Sequence, residues 1–260
     1  MPLKRLLTAL VILPLLYLYI TKLPPVYFSA LIAAAGILAL WEFLSMYRTY
    51  WVLRMSGLAL GALFLLAAIF DMLAVYDILV IGFITVAGAR LLIKNPQSAA
   101  QDIGLIATAL LYIPGLLVFQ MLLRELGEEW ILFLYGVIWS ADSFAFLVGS
   151  SIGKMKLYPA VSPKKTVEGG VASVLGGVLA ALLADWLLSM PLSGMDAGIL
   201  GFILGSTAVL GDLIESMFKR DAGVKDSGTL FPGHGGILDK MDGSLISAPV
   251  LYWSLSFFLR

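Results

Sequence analysis

Apolar residues run through this chain in blocks of about twenty, each long enough to cross the ~30 Å hydrocarbon core of a bilayer as a helix. Nine such windows follow one another, at 6–23, 26–44, 52–70, 74–93, 103–123, 130–149, 169–188, 198–218 and 238–259. The expected fold class is all-α: a polytopic integral membrane protein with about nine transmembrane helices. No internal repeat and no low-complexity linker interrupts the series. The opening Met1-Pro2-Leu3-Lys4-Arg5 and the apolar run after it have the charged and apolar regions of a signal peptide. Tyr17 to Leu23 is bulky or charged and Pro24-Pro25 follows, so no small-residue cleavage site closes the segment, and it is read as a retained first span.

Composition agrees with a bilayer protein. Hydrophobic residues make up 60% of the chain and charged residues 13%, with mean hydropathy +0.97, whereas a soluble domain carries roughly 25% charged residues. The net charge of zero argues against a nucleic-acid partner, and the lack of cysteine excludes disulfides and thiolate chemistry. The basic residues are unevenly placed. The amino terminus and every second connection hold Lys4, Arg5, Arg48, Arg54, Arg90, Lys94, Lys154, Lys156, Lys164, Lys165, Lys219, Arg220, Lys225 and Lys240, which is 14 of 17. The other side has Lys22, Arg124 and Arg260. The positive-inside rule then places the amino terminus in the cytoplasm and the carboxyl terminus outside it. Residues 1–130 are expected to form an amino-terminal region of about five lipid-facing spans. Residues 131–260 are expected to form a second region of about four spans with two basic cytoplasmic connections, 150–168 and 219–237.

An acid at the centre of a span costs roughly 2.5–3.5 kcal/mol, so each needs a reason. Asp142 and Asp212 lie at similar depth near the cytoplasmic ends of the sixth and eighth windows. Asp212, Glu215, Ser216 and Lys219 fall at i, i+3, i+4 and i+7, one helix face turned into the protein. Asp239 and Asp242 are i, i+3 neighbours at the start of the last window, and Glu42 near the end of the second is a further candidate, which snorkelling or a structural hydrogen bond explains about as well. Carboxylates beside Lys219, Arg220, Lys225 and Lys240 suit magnesium with nucleotide phosphates, because the ion takes oxygen ligands and the bases neutralise the rest. A buried ion-pair network that only holds helices together is the structural alternative.

Two connections have the make-up of phosphate cradles. Gly233, His234, Gly235 and Gly236 precede the last window, where glycines let backbone amides approach an anion. His234 is the sole histidine, which rules out a multi-histidine zinc site and leaves it to hydrogen-bond a phosphate or to organise the turn. The other connection offers Ser162, Lys164, Lys165, Thr166 and Glu168, either as a phosphate grip or as a capped helix start with Glu168 near the first turn.

From Ser216 through Lys219-Arg220, Lys225-Asp226 and Pro232-Gly233-His234-Gly235-Gly236 to Asp239-Lys240-Met241-Asp242, the chain resembles the signature of the phosphatidate cytidylyltransferase family. The one departure is Lys240, where the family usually has arginine. Lysine keeps the charge but lacks the two-toothed fork. Segments 139–146, 162–169 and 211–216, and Trp41-Glu42, also resemble the family.

The resemblance implies the reaction of CTP with phosphatidic acid to give CDP-diacylglycerol and pyrophosphate, in the cell inner membrane. It further implies magnesium, in some members with a monovalent cation such as potassium, and a homodimer. Asp212 and Asp239 become the expected metal ligands, and Asp142, Asp226 and Asp242 contacts to their surroundings or to the nucleotide. Lys219, Arg220, Lys225, His234 and Lys240 complete the catalytic set, with Asp142, Ser162, Lys164, Lys165, Thr166, Glu168, Glu215, Ser216, Gly233, Gly235 and Gly236 as substrate contacts. Two other enzyme classes fit less well. A CDP-alcohol phosphatidyltransferase needs Asp-Gly-x2-Ala-Arg, whereas Asp242-Gly243 is followed by Ser244-Leu245-Ile246-Ser247. An intramembrane aspartyl protease needs Gly-x-Gly-Asp, and Val209-Leu210-Gly211-Asp212 lacks the first glycine. An ion-coupled transporter would explain buried acids but not two basic, glycine-bearing connections on one face, and no half of the chain is repeated.

Overall fold

The computed structural model describes residues 14, 16–70, 74–230 and 235–258. Residues 16–22 are helical, and the rest of the first expected window lies outside the described residues. Each later window coincides with helix. In chain order these are α1 (Pro25–Met46), α2 (Trp51–Phe70), α3 (Ala74–Leu91), α4 (Ala99–Tyr112), α5 (Pro114–Leu126), α6 (Glu128–Ile152), α7 (Val167–Leu188), α8 (Gly194–Asp221) and α9 (Leu238–Phe258). Among the described residues, six stretches are long and apolar enough to cross a membrane: α1, α2, the α4–α5 pair, α6, α7 and α8. α3 and α9 have 18 and 21 residues, which is also spanning length.

α4 and α5 form one stretch bent at Ile113, because Pro114 has no N–H to give and its ring crowds the carbonyl one turn back. The ladder resumes at once, with the Leu117 N–H donating to Ile113 O at 3.0 Å. The connection before α7 is more ordered than a loop. β1 (Lys156–Tyr158) and β2 (Ser162–Thr166) pair antiparallel, with Lys156 opposite Thr166 and Tyr158 opposite Ser162. This ribbon adds a small β element to an otherwise helical molecule.

α6, α7 and α8 pack side by side, and α9 lies against α8 and α5. α1 joins the amino-terminal helices to this group through α5. Rings of Phe43 (α1) and Tyr112 (α4) close on Phe218 (α8) at centroid distances of 5.2 and 5.1 Å, which fixes the end of α8 against the amino-terminal helices. Large apolar side chains cover the outside, with Phe70 80% and Trp186 75% exposed. Lipid, not water, suits such a surface.

The connections expected on one side of the membrane meet at one end of the molecule. Arg90 lies over the Tyr50 ring at 5.5 Å, and the Tyr47 hydroxyl donates to Phe218 O at 3.2 Å. Arg220 Nε donates to Val161 O at 3.1 Å, tying the end of α8 to the ribbon. At the other end Arg124 donates to Ile20 O and Leu23 O, at 2.7 and 3.1 Å.

Candidate active site

The last three turns of α8 supply the polar face foreseen from its spacing. Ser216 Oγ donates to Asp212 Oδ1 at 3.1 Å, and Lys219 Nζ lies 2.8 Å from Glu215 Oε2. Gly211 lets α9 come close, since a Cβ there would collide with the backbone carbonyl of Asp242. That approach brings Asp242 to α8: oxygens of Asp212, Glu215 and Asp242 all lie within 4.8 Å of one another. Glu215 is 1% exposed, and its Oε1 has no hydrogen-bond partner among the described residues. An all-oxygen donor set with an unsatisfied buried carboxylate oxygen fits a hard divalent cation.

Asp212 also faces a cleft of about 560 Å³ between α6, the ribbon, α7 and α8. Lys156, Lys164 and Lys165 line its polar side, Asp142 and Asp212 its floor, and Phe146 and Leu157 an apolar wall. Lys165 Nζ reaches Asp212 Oδ2 at 2.6 Å, so one aspartate belongs to the carboxylate cluster and to the lysine-lined cleft. Thr166, also at the cleft, caps α7 by accepting the Gly169 N–H at 3.1 Å. Glu168 does not face the cleft. Its carboxylate accepts the Lys154 and Met155 N–H groups at 3.0 and 3.2 Å and folds the ribbon back onto the helix start. These contacts fit the capped-helix alternative for Glu168.

Asp239 lies outside that three-carboxylate group. Its Oδ1 lies 2.6 Å from Lys219 Nζ, and its Oδ2 accepts from the Gly236 N–H, the Ser227 hydroxyl and the Ser227 N–H at 2.7, 2.8 and 3.0 Å. Lys219 thus bridges Asp239 to Glu215. Arg220 donates to the backbone carbonyls of Val161 and Val224. Lys225, Asp226 and Lys240 are exposed beside this group, Gly235 and Gly236 precede α9 with Ile237 between, and Ser162 opens β2. Gly233 and His234 lie outside the described residues. Sequence reasoning did not single out Lys156 or Ser227 as site residues. Lys156 enters only because the ribbon folds over the cleft, and the signal for Ser227 was its place directly after Asp226.

Relatives bear on what such a site does. A Bacillus subtilis protein named phosphatidate cytidylyltransferase is 34% identical over 98% of this chain and 98% of its own length. Proteins of the same name from Synechocystis and Brucella abortus are 47% identical over 46% of this chain and 37% over 66%, covering 40% and 63% of their own lengths. The sequence model of the Cytidylyltransferase family matches residues 3–258, nearly the entire chain. This chain belongs to the cytidylyltransferase family.

Proposed function

We propose that the chain is a phosphatidate cytidylyltransferase, which transfers the CMP moiety of CTP to phosphatidic acid and releases pyrophosphate. The observation that carries this reading is Asp212, shared between a carboxylate cluster and a lysine-lined cleft that has an apolar wall. The cluster suits a metal–triphosphate, the lysines a second phosphate, and the wall an acyl-bearing substrate. A phosphatidate oxygen attacks the α-phosphorus of CTP in line. The new P–O bond forms as the bond to the bridging oxygen breaks, and that electron pair leaves with pyrophosphate. No covalent enzyme intermediate is needed, because phosphate is itself a nucleophile. Lys164, Lys165 and Lys219 neutralise and orient the reacting phosphates, so positioning and charge compensation supply most of the acceleration.

Magnesium, when bound, would polarise the phosphoryl oxygens and offset charge on the leaving group. Asp212, Glu215 and Asp242 would hold it. The resemblance favours Asp239 as the partner of Asp212 instead, and Asp212 is common to both assignments. The homodimer, any monovalent cation and the division at about residue 130 stay proposals resting on the resemblance. The nine-span count, the cytoplasmic amino terminus, the outward carboxyl terminus and the inner-membrane location with a cytoplasmic site are supported by the 14-to-3 basic asymmetry. Purified protein in detergent with magnesium should convert CTP and phosphatidic acid to CDP-diacylglycerol, and EDTA should stop it. Folded protein that transfers no cytidylyl group to any of several phosphatidates overturns the proposal.

A further inference from the structure

The chemistry above leaves Glu42 unused. It sits near the end of α1, far in sequence from the site, yet it is only 8% exposed. Its carboxylate accepts the Ile237 N–H on Oε1 and the Leu238 N–H on Oε2, each at 3.0 Å. These amides open α9 and have no intrahelical acceptor, so Glu42 does from another helix what an N-cap residue does within its own. A carboxylate there also gains from the helix dipole.

Ser227 extends the contact. Its hydroxyl lies 2.8 Å from Asp239 Oδ2 and 3.2 Å from Glu42 Oε2. A hydroxyl has one proton to give, so the two carboxylates share one donor between them. The flanking glycines leave the carboxylate its room. A Cβ on Gly228 would come within 2.6 Å of Glu42 Oε1, and one on Gly236 would overlap Oε2. Glu42 and Asp239 therefore grip both ends of the segment that leads into α9. With its Oδ2 occupied there, Asp239 presents Oδ1 to Lys219, and Lys219 reaches Glu215 of the carboxylate cluster.

We infer that Glu42 is a positioning residue for cytidylyl transfer: it fixes Ser227 and the start of α9, so that Asp239 holds Lys219 beside the carboxylate cluster. The inference rests on the cytidylyltransferase reading. Its test compares wild type, Glu42→Gln, Ser227→Ala and the double variant in detergent. Glu42→Gln keeps the volume but replaces one acceptor oxygen with a donor. kcat should fall about tenfold with KM for phosphatidate unchanged within twofold, and the double variant should be no slower than the worse single one, since both act through one contact. Hydrogen–deuterium exchange gives a readout free of turnover: both single variants should speed exchange at 227–228 and 235–240 while α2 and α7 keep wild-type rates. If wild type itself transfers no cytidylyl group yet this exchange pattern appears, the activity reading fails and the grip stands. Normal exchange at those amides, a normal kcat per folded molecule, or multiplicative effects in the double variant would each overturn the inference.

Discussion

Asp212 has two partners at once, Lys165 at 2.6 Å and Ser216 at 3.1 Å, and no other acid touches both the cleft and the carboxylate cluster among the described residues. Asp212→Asn keeps the shape and removes the charge, so turnover should fall about 100-fold or more while expression is kept, which purified protein in the transfer assay measures. Asp239→Asn and Asp242→Asn then locate the second ligand. With ligation by the cluster, Asp242→Asn should weaken manganese binding, read by paramagnetic resonance, more than Asp239→Asn does. Lys240 tests the departure from the family pattern. Lys240→Ala should lose about tenfold to a hundredfold in kcat/KM for CTP, the size of one charge-assisted hydrogen bond, while Lys240→Arg keeps full activity. A destabilised but kinetically normal alanine variant would remove Lys240 from catalysis. The α8 face was legible because helical periodicity alone aligns Asp212, Glu215, Ser216 and Lys219. The meeting of Asp242 with Asp212 was not, since it depends on the packing of α9 over Gly211.

Among the elements, the helices could be read because twenty apolar residues leave a bilayer chain little choice. Their ends were less clear, since α6 runs on to Ile152 and α8 to Asp221, through polar turns that hydropathy cannot see. The ribbon could not be read at all: β1 has three residues, and its pairing depends on Glu168 anchoring the backbone at Lys154 and Met155. Thr166 joins ribbon to helix as the cap of α7. Thr166→Ala should cost about 1 kcal/mol of stability, and Thr166→Ser should restore it, in thermal unfolding of the detergent-solubilised protein.

For the whole molecule, the alternation of basic and non-basic connections groups the loops, and the Tyr50–Arg90, Tyr47–Phe218 and Val161–Arg220 contacts gather four of the basic junctions at one end. A reporter fused after Arg260 should read as non-cytoplasmic and one inserted at Gly223 as cytoplasmic; the same side for both breaks the nine-span count. The cleft sets Lys156, Lys164 and Lys165 against Asp142 and Asp212, and within it Lys165 is already paired with Asp212. Substrate binding there is thus an exchange of partners. A cation held at Asp212 would release Lys165 from its partner, and a nucleotide taking Lys165 would leave Asp212 without its ammonium. Only a ligand bringing both signs together swaps one pair for two at no net cost in charge. Calorimetry should accordingly find magnesium and CTP each binding weakly alone and at least about tenfold more tightly in each other's presence, with the synergy lost in Lys165→Ala.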